Sequence, residues 1–488
     1  MKPEYEIIIG LEVHAQLKTD SKLFCGCSTE FGKKPNSQTC PVCLGHPGVL
    51  PVLNRKAFRL ALRTACAFGC TIAPYTKFDR KHYYYPDLPK NFQISQYDMP
   101  FAHGGKVEFP LDGRQKSARL IRIHLEEDAG KLVHDSRRDI SCVDLNRTGT
   151  PLMEIVSEPD ITSPEEAYEY LNALKLTLKY LDVSDCNMQE GSLRCDANIN
   201  IRVGEDVTPI SEVKNLNSFR GVESALAYEA ERQFGEYRNT GRTQKDAPKE
   251  TVGWDADRGE TIVQRAKEEA HDYRYFPEPD IPPLYVTEPM IREAQQSVCE
   301  LPLRRKERFM TEMGLSEYDA GVLVQDKYLA DYFEETCSSG NPIIDAKECA
   351  NAVINDVLRA VKDTGCTMRA FPVPPGHLAG LLTCAKNGEI SSSTARDTVF
   401  PEMVSSGKTA DEIIREKDLM QIRDQEELSA IVSDVVKNNP KGVKDYLSGK
   451  KQAIGFLIGQ VMKSTQGKAD HSVVISLLEK HIGSGKEI

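Results

Sequence analysis

No run of about 18 apolar residues occurs in the 488-residue chain, so nothing in it reads as a membrane-spanning helix. The N-terminus, Met1-Lys-Pro-Glu-Tyr-Glu6, lacks the apolar core of a secretory signal and the arginine-rich character of a transit peptide. A bacterial-type cytoplasmic protein is the expectation. Positive charge is not in excess: 62 Lys and Arg against 73 Asp and Glu give a net charge of −11. That argues against broad, non-specific nucleic-acid binding but leaves room for a local basic patch. No internal repeat or low-complexity tract is visible.

What is present is ordinary for a soluble globular protein: 40% hydrophobic and 28% charged residues. The length exceeds one ordinary core, so two to four domains are expected. Fourteen cysteines in an intracellular chain of this length do not form a disulfide framework. Four of them are closely spaced; the other ten are scattered and read mostly as small buried apolar residues.

Short β-like runs alternate with turns over the first 280 or so residues, among them Ile7–His14, Arg119–His124 and Asp196–Arg202. Ser163-Pro-Glu-Glu166 reads as a capping box with proline at the first helical position. Ala167, Tyr170, Leu171, Leu174, Leu178 and Leu181 follow at helical spacing. The region reads as one α+β domain over residues 1–290, bounded by the proline-rich Phe276–Pro283. A helical domain over 291–404 follows, with Ala350, Val353, Ile354, Val357, Leu358 and Val361 as one stripe. The segment 405–488 is again helical, and basic: between Lys437 and Lys468 lie seven lysines and one acid, Asp445.

In Leu11-Glu-Val-His-Ala-Gln-Leu17, apolar residues alternate with Glu12, His14 and Gln16. On a strand the polar set shares one face, with Glu12 and His14 about 7 Å apart. This suits a divalent metal or an acid–base pair; a solvated sheet face is the alternative. In His124-Leu-Glu-Glu-Asp-Ala-Gly130, three adjacent carboxylates are costly to hold together without a cation. Strict alternation puts Glu127 on the side of Ile121, Ile123 and Leu125, so the strand is expected to end or bulge before it. The pattern does not choose between Glu126 and Glu127. Glu154, flanked by Leu152, Met153, Ile155 and Val156, needs a partner. Glu190-Gly-Ser-Leu-Arg-Cys-Asp196 offers the Ser192 hydroxyl and Arg194 guanidinium, donors that suit a phosphate. Lys77 and Arg80 add positive charge.

The most specific local motif is Cys25-Gly-Cys27, twelve residues, then Cys40-Pro-Val-Cys43. Two close thiol pairs make a tetrahedral zinc site, and four thiolates leave no position for water, so a structural role is expected. Two motifs are decoys. Gly407-Lys-Thr409 resembles the end of a P-loop, but Glu402 stands at the required first glycine. His124-Leu-Glu126 with Cys40–Cys43 resembles a zinc deaminase, but in reversed order and with Thr39 where proline belongs.

Taken together, Gly10-Leu-Glu-Val-His14, Lys77-Phe-Asp-Arg-Lys81, Tyr85-Pro-Asp87, His124–Lys131, Val143–Arg147, Gly149–Asp160, Glu190–Asn198, Lys214–Ser218, Asp272–Asp280 and Gly455–Lys463 resemble the B-subunit family of aspartyl/glutamyl-tRNA(Asn/Gln) amidotransferases. The resemblance implies a cradle domain holding a kinase site, a helical domain, and a tail similar to YqeY proteins that contacts tRNA. It implies ATP as substrate and Mg²⁺ or Mn²⁺ held by His14, Glu127 and Glu154, with Glu12 beside them. Lys77, Arg80, Ser192 and Arg194 are the candidate nucleotide partners. Zinc belongs to some members, and Cys25, Cys27, Cys40 and Cys43 are all present here. No glutaminase-like Gly/Ser-rich signature with a catalytic lysine is visible. Ammonia is therefore expected from an amidase-like A subunit, helped by a small C subunit. The competing classes are a zinc hydrolase or deaminase and a non-catalytic RNA-binding adaptor.

Overall fold

A computed structural model of the chain describes residues 4–135, 138–247, 249–266, 273–340, 343–422, 424–465 and 468–484. Asp272, first residue of the Asp272–Asp280 motif, lies outside them. The chain divides into two compact units, Met1–Arg304 and Arg305–Ile488.

The first unit is built on a mixed sheet. Its main strands are β1 (Glu6–Gln16), β2 (Arg114–Glu127), β3 (Pro151–Ser157), β4 (Leu193–Val203), β5 (Ile210–Lys214), β6 (Lys249–Asp255) and β7 (Glu260–Ala266). Across the sheet they run β7-β6-β5-β4-β1-β3-β2. These neighbours pair antiparallel except β5 and β6, which are parallel. A parallel pair needs a long crossover, here the helix Phe219–Thr240.

The alternation read in β1 holds. Ile9, Leu11, Val13 and Ala15 are fully buried on one face, and Glu12, His14 and Gln16 take the other. The apolar face packs on helices α1 (Arg55–Ala67), α2 (Pro164–Tyr180) and α3 (Phe219–Thr240), with Leu62, Leu171, Leu174, Leu178, Val222 and Leu226 in the same core. Cutting Leu174 to Ala is expected to cost about 2–5 kcal/mol. At the start of α2 the Ser163 hydroxyl accepts from the Glu166 amide at 3.1 Å. Glu166 itself reaches one residue further back than a capping box requires, accepting from the Thr162 amide at 2.6 Å, and it also pairs with Lys116.

The proline-rich stretch is not a linker. Phe276–Pro277 pairs with Asp79–Arg80, and Leu284–Tyr285 pairs with Tyr75–Thr76. Helix α4 (Glu288–Gln296) then packs on the first core through Ala294, Met290 and Ile291. The compact unit that holds these strands runs to Arg304.

The second unit is helical and holds two separate cores. The first runs from Phe309 to Ile414, with Leu419 against it. The second runs from Leu428 to Ile482. The helix Ala410–Glu416 thus belongs to the first core, so a division at 405 cuts through it. The Ala350–Val361 stripe is not one regular helix: α-helix Ala346–Ala352 gives way to a π-helical turn, Val353–Val357, before Leu358–Thr364. One wider turn re-phases the stripe, so Val353 and Val357 are fully buried while Ile354, Leu358 and Val361 are only partly so. Gly407, the P-loop decoy, is the left-handed cap of helix Phe400–Ser406, with φ +72°.

Candidate functional site

Strand register assembles the site. Glu154 on β3 faces His14 on one side and His124 on the other. His14 in turn faces Arg194 on β4. Side chains that are cross-strand partners share a face, so His124, Glu154, His14 and Arg194 form a row across four strands. Glu126 lies two residues beyond His124 and therefore on the same face.

The row closes into a cluster. His14 Nε2 lies 3.6 Å from Glu126 Oε1 and 3.5 Å from Glu154 Oε2. His124 Nε2 lies 3.2 Å from Glu154 Oε2 and 3.8 Å from Glu126 Oε2. One ligand atom from each of His14, Glu126 and Glu154 falls within 4.8 Å of the others. Burial works against charge on all four groups, and mutual attraction overcomes it. His124 is raised to about 9 by Glu154 and Glu126 despite its burial, and His14 is raised by Glu154. Glu154 is held well below the usual carboxylate range by His124 and His14, and Glu126 is lowered by His124. Two carboxylates thus sit against two imidazoles whose basicity they raise, and a divalent cation can take over that balancing role. The fit is supported by the donor set, two carboxylates and the His14 imidazole brought within 4.8 Å of one another.

Glu127 is a correction. It is not with His14 and Glu154: the register of β2 against β3 shifts at Ile121, between Leu120 and Arg122, and the strand then runs regularly through Glu127. Its side chain stays on the opposite face, buried, where it pairs with Lys90 and accepts from the Ile94 amide at 2.9 Å. A carboxylate tolerates that face because a cation and an N–H meet it there.

The other expected residues divide. Arg194 reaches the site face and donates to Asp128 at 2.9 Å. Asp128 also receives Gln16 at 2.8 Å and lies 3.7 Å from Arg147. Burial would raise Asp128, but Arg194 and Arg147 hold it low. Glu12 lies on the same face but outside the cluster, accepting from Asn198 at 2.8 Å. Ser192 is buried, and its carbonyl accepts the Gln16 amide at 2.8 Å. Lys77 is held by Asp79 and, at 2.6 Å, by Asp98. Arg80 makes a fork to Glu278 at 2.7 and 2.9 Å, with its guanidinium 4.4 Å from the Phe92 ring centre. Arg80 lines a cavity of about 230 Å³ together with Glu127, not the His14 cluster.

Sequence reasoning missed His124, Asp128, Arg147 and the aromatic neighbours. Tyr275 stacks on Tyr97 at 4.0 Å, and its hydroxyl is pushed up by burial and by Glu126. The even-numbered spacing of His124 and Glu126 was the available signal for the first; no local pattern announces Tyr275.

Cys25, Cys27, Cys40 and Cys43 come together with all four sulfurs within 4.8 Å. Cys40 and Cys43 lie 3.9 Å apart, close to the roughly 3.8 Å edge of a tetrahedron with zinc–sulfur bonds of about 2.3 Å. An antiparallel bridge between Ser21 and Ser28 brackets the first pair. The Cys43 thiol is pulled down to about 4, first by its hydrogen bond from Cys25, while burial and Cys40 push Cys27 up to about 11. Such sharing of protons among thiols is what a metal replaces. Among the described residues no helix is long and apolar enough to cross a membrane.

An α+β sheet domain with a buried acid–imidazole cluster and a four-thiol knuckle is followed along the chain by a helical unit. Residues 7–292 match the family described as the GatB/GatE catalytic domain, and residues 331–482 match the GatB domain. The chain belongs to the GatB family, the B-subunits of aspartyl/glutamyl-tRNA(Asn/Gln) amidotransferases. It is 50% identical to the B-subunit of Carboxydothermus hydrogenoformans over 481 residues, covering 97% of this chain and 98% of that one. It is 50% identical to that of Moorella thermoacetica, covering 98% and 100% of the two chains. The counterpart from Thermodesulfovibrio yellowstonii is 48% identical over 98% of this chain and 99% of its own.

Proposed function

We propose that the chain activates the side-chain carboxylate of Asp or Glu misattached to tRNA(Asn) or tRNA(Gln), using ATP. The carboxylate oxygen attacks the γ-phosphorus, ADP leaves, and an acyl phosphate remains. Ammonia then attacks the acyl carbon and phosphate departs, leaving the amide. Activation is needed because oxide is a poor leaving group and phosphate is a good one.

The observation that carries this reading is the convergence of Glu126, Glu154 and His14 on one sheet face. These three hold the divalent cation, Mg²⁺ or, given the imidazole, Mn²⁺. When bound, the cation offsets the negative charge of the triphosphate during transfer. His124 orients Glu154 through their 3.2 Å contact. Arg194, anchored by Asp128, is the phosphate partner on the same face. The four-cysteine knuckle takes a structural zinc. Closed thiolate coordination leaves no place for an attacking water, which favours this reading over a zinc hydrolase or deaminase.

The amidase-like A subunit supplies ammonia, and the small C subunit completes the heterotrimer. The basic tail contacts the tRNA in the cytoplasm. The deciding experiment follows ATP cleavage with misacylated tRNA and the partner subunits present. Cleavage that depends on the misacylated tRNA and on Glu126 supports the proposal. ATP-independent amide formation, or tRNA binding with no nucleotide turnover, would replace it with a non-catalytic adaptor role.

A further inference from the structure

Lys22 is among the largest fully buried side chains of the protein, with no exposed surface. A buried ammonium is costly unless an opposite charge meets it. Its nearest acceptors are the Leu145 carbonyl at 3.4 Å and Cys43 Sγ at 3.6 Å. No ion pair to a carboxylate is formed by Lys22 among the described residues.

The backbone explains why this lysine is placed there. The Lys22 amide donates to the Cys27 carbonyl at 2.9 Å, fixing it to the loop of the first cysteine pair. Its ammonium reaches Cys43, in the second pair. One residue thus spans both halves of the knuckle. Its aliphatic stem runs past Gly149, where an added Cβ would meet Lys22 Cδ and Cys43 Cβ at 3.6 Å each. The Leu23 amide, next in the chain, donates to the Gly149 carbonyl at 2.8 Å.

A dication bound by four thiolates carries a net charge of two minus, and here that charge is partly buried. We propose that Lys22 is the counter-charge and sulfur hydrogen-bond donor of the four-cysteine metal site, a positioning residue that sets its metal affinity and ties it to the sheet through Gly149. The proposal rests on the metal reading of the four cysteines. It extends that reading from the ligands to the group that makes their charge tolerable. A hydrogen bond to a coordinated sulfur also draws electron density from it and disfavours its protonation, the step by which a thiolate leaves the metal.

The test is zinc affinity of the full-length chain by chelator competition, for the unaltered protein, Lys22→Met and Lys22→Arg. Lys22→Met keeps much of the stem and removes the charge. It is expected to bind zinc on the order of 10- to 100-fold more weakly, with Lys22→Arg recovering part of the loss. Unchanged affinity in Lys22→Met, or equal loss in both variants, would overturn the counter-charge role. No zinc binding by the unaltered chain would instead sink the metal reading itself. If neither variant folds, the unaltered chain loaded with cadmium-113 and ¹⁵N-lysine decides. An exchange-protected ammonium coupled to the metal supports the proposal, and a freely exchanging, uncoupled one overturns it.

Discussion

Glu126 and Glu127 are adjacent in the chain and point to opposite faces of the sheet, Glu126 to His14 at 3.6 Å and Glu127 to the Ile94 amide at 2.9 Å. Two identical side chains therefore have unlike tasks, and substituting them separates the tasks.

Glu126→Gln and Glu154→Gln are expected to abolish amide formation with either glutamine or free ammonia as nitrogen source. Added ammonia bypasses the glutaminase but not carboxylate activation. Loss of a charge clamp at the transferring phosphoryl group corresponds to a few kcal/mol, or on the order of a hundredfold or more in rate. The measurement is ATP cleavage with misacylated tRNA by the folded variants, beside zinc content, which should change little. Near-normal cleavage in both variants would remove these carboxylates from the site.

Glu127→Gln is expected to act on stability instead. It strands the buried Lys90 ammonium, and breaking a buried pair costs about 3–5 kcal/mol. Removing both charges in Lys90→Met/Glu127→Leu should recover part of that loss. Denaturant titration of the single and double variants checks this; equal stability of Glu127→Gln and the unaltered chain would count against it.

Cys40→Ser is expected to lose one zinc per chain and to destabilise the knuckle, since structural zinc contributes folding energy. Metal analysis after dialysis is the readout. Full occupancy in the variant would show that the four thiols are not the ligands.

Acid stability should report Glu229, buried on α3. Burial opposes its charge, but Arg232 and Thr261 hold its pKa below 4.5. A lowered folded pKa gives stability that is complete above the unfolded value near 4.5 and is lost as pH falls through the folded one. Glu229→Gln should therefore be less stable at neutral pH and show a flatter acid limb below about pH 4.5. An unchanged limb would assign the acid sensitivity to other carboxylates.

The tail lysines should govern tRNA affinity through phosphates. Replacing Lys441 and Lys444 by Ala is expected to lower the salt-dependence slope by roughly 0.7–0.9 per lost contact, raising KM for tRNA with little effect on tRNA-independent ATP use. A salt titration of tRNA binding decides; parallel slopes would place the contact elsewhere.

Much of this architecture is written in local pattern. Strand β1 is legible because its two faces differ, Leu11 and Val13 inside against Glu12 and His14 outside. The four-cysteine knuckle is legible because its spacing is itself the geometry. Glu126 and Glu127 are not, since at the end of β2 both faces are buried and alternation loses its contrast. The family resemblance pointed to Glu127, whereas the sheet brings Glu126 to His14. The pairing within and just after Phe276–Pro283 was not legible either. Proline marks a break in hydrogen bonding, yet Phe276–Pro277 and Leu284–Tyr285 still serve as two-residue edge strands. The π-helical turn at Val353–Val357 is invisible because a single wide turn barely changes an apolar stripe.

The row of His124, Glu154, His14 and Arg194 is drawn from strands that end as late as Val203. On the ribosome, the knuckle at Cys25–Cys43 emerges long before β4 exists to complete that row. At usual elongation speeds of about 5–20 residues per second, the gap is on the order of ten seconds or more. For most of that interval Glu154 itself has yet to be made, so the four thiols are all present before the carboxylate–imidazole cluster can form. The order of emergence alone therefore completes the sulfur donor set before the oxygen and nitrogen donor set exists.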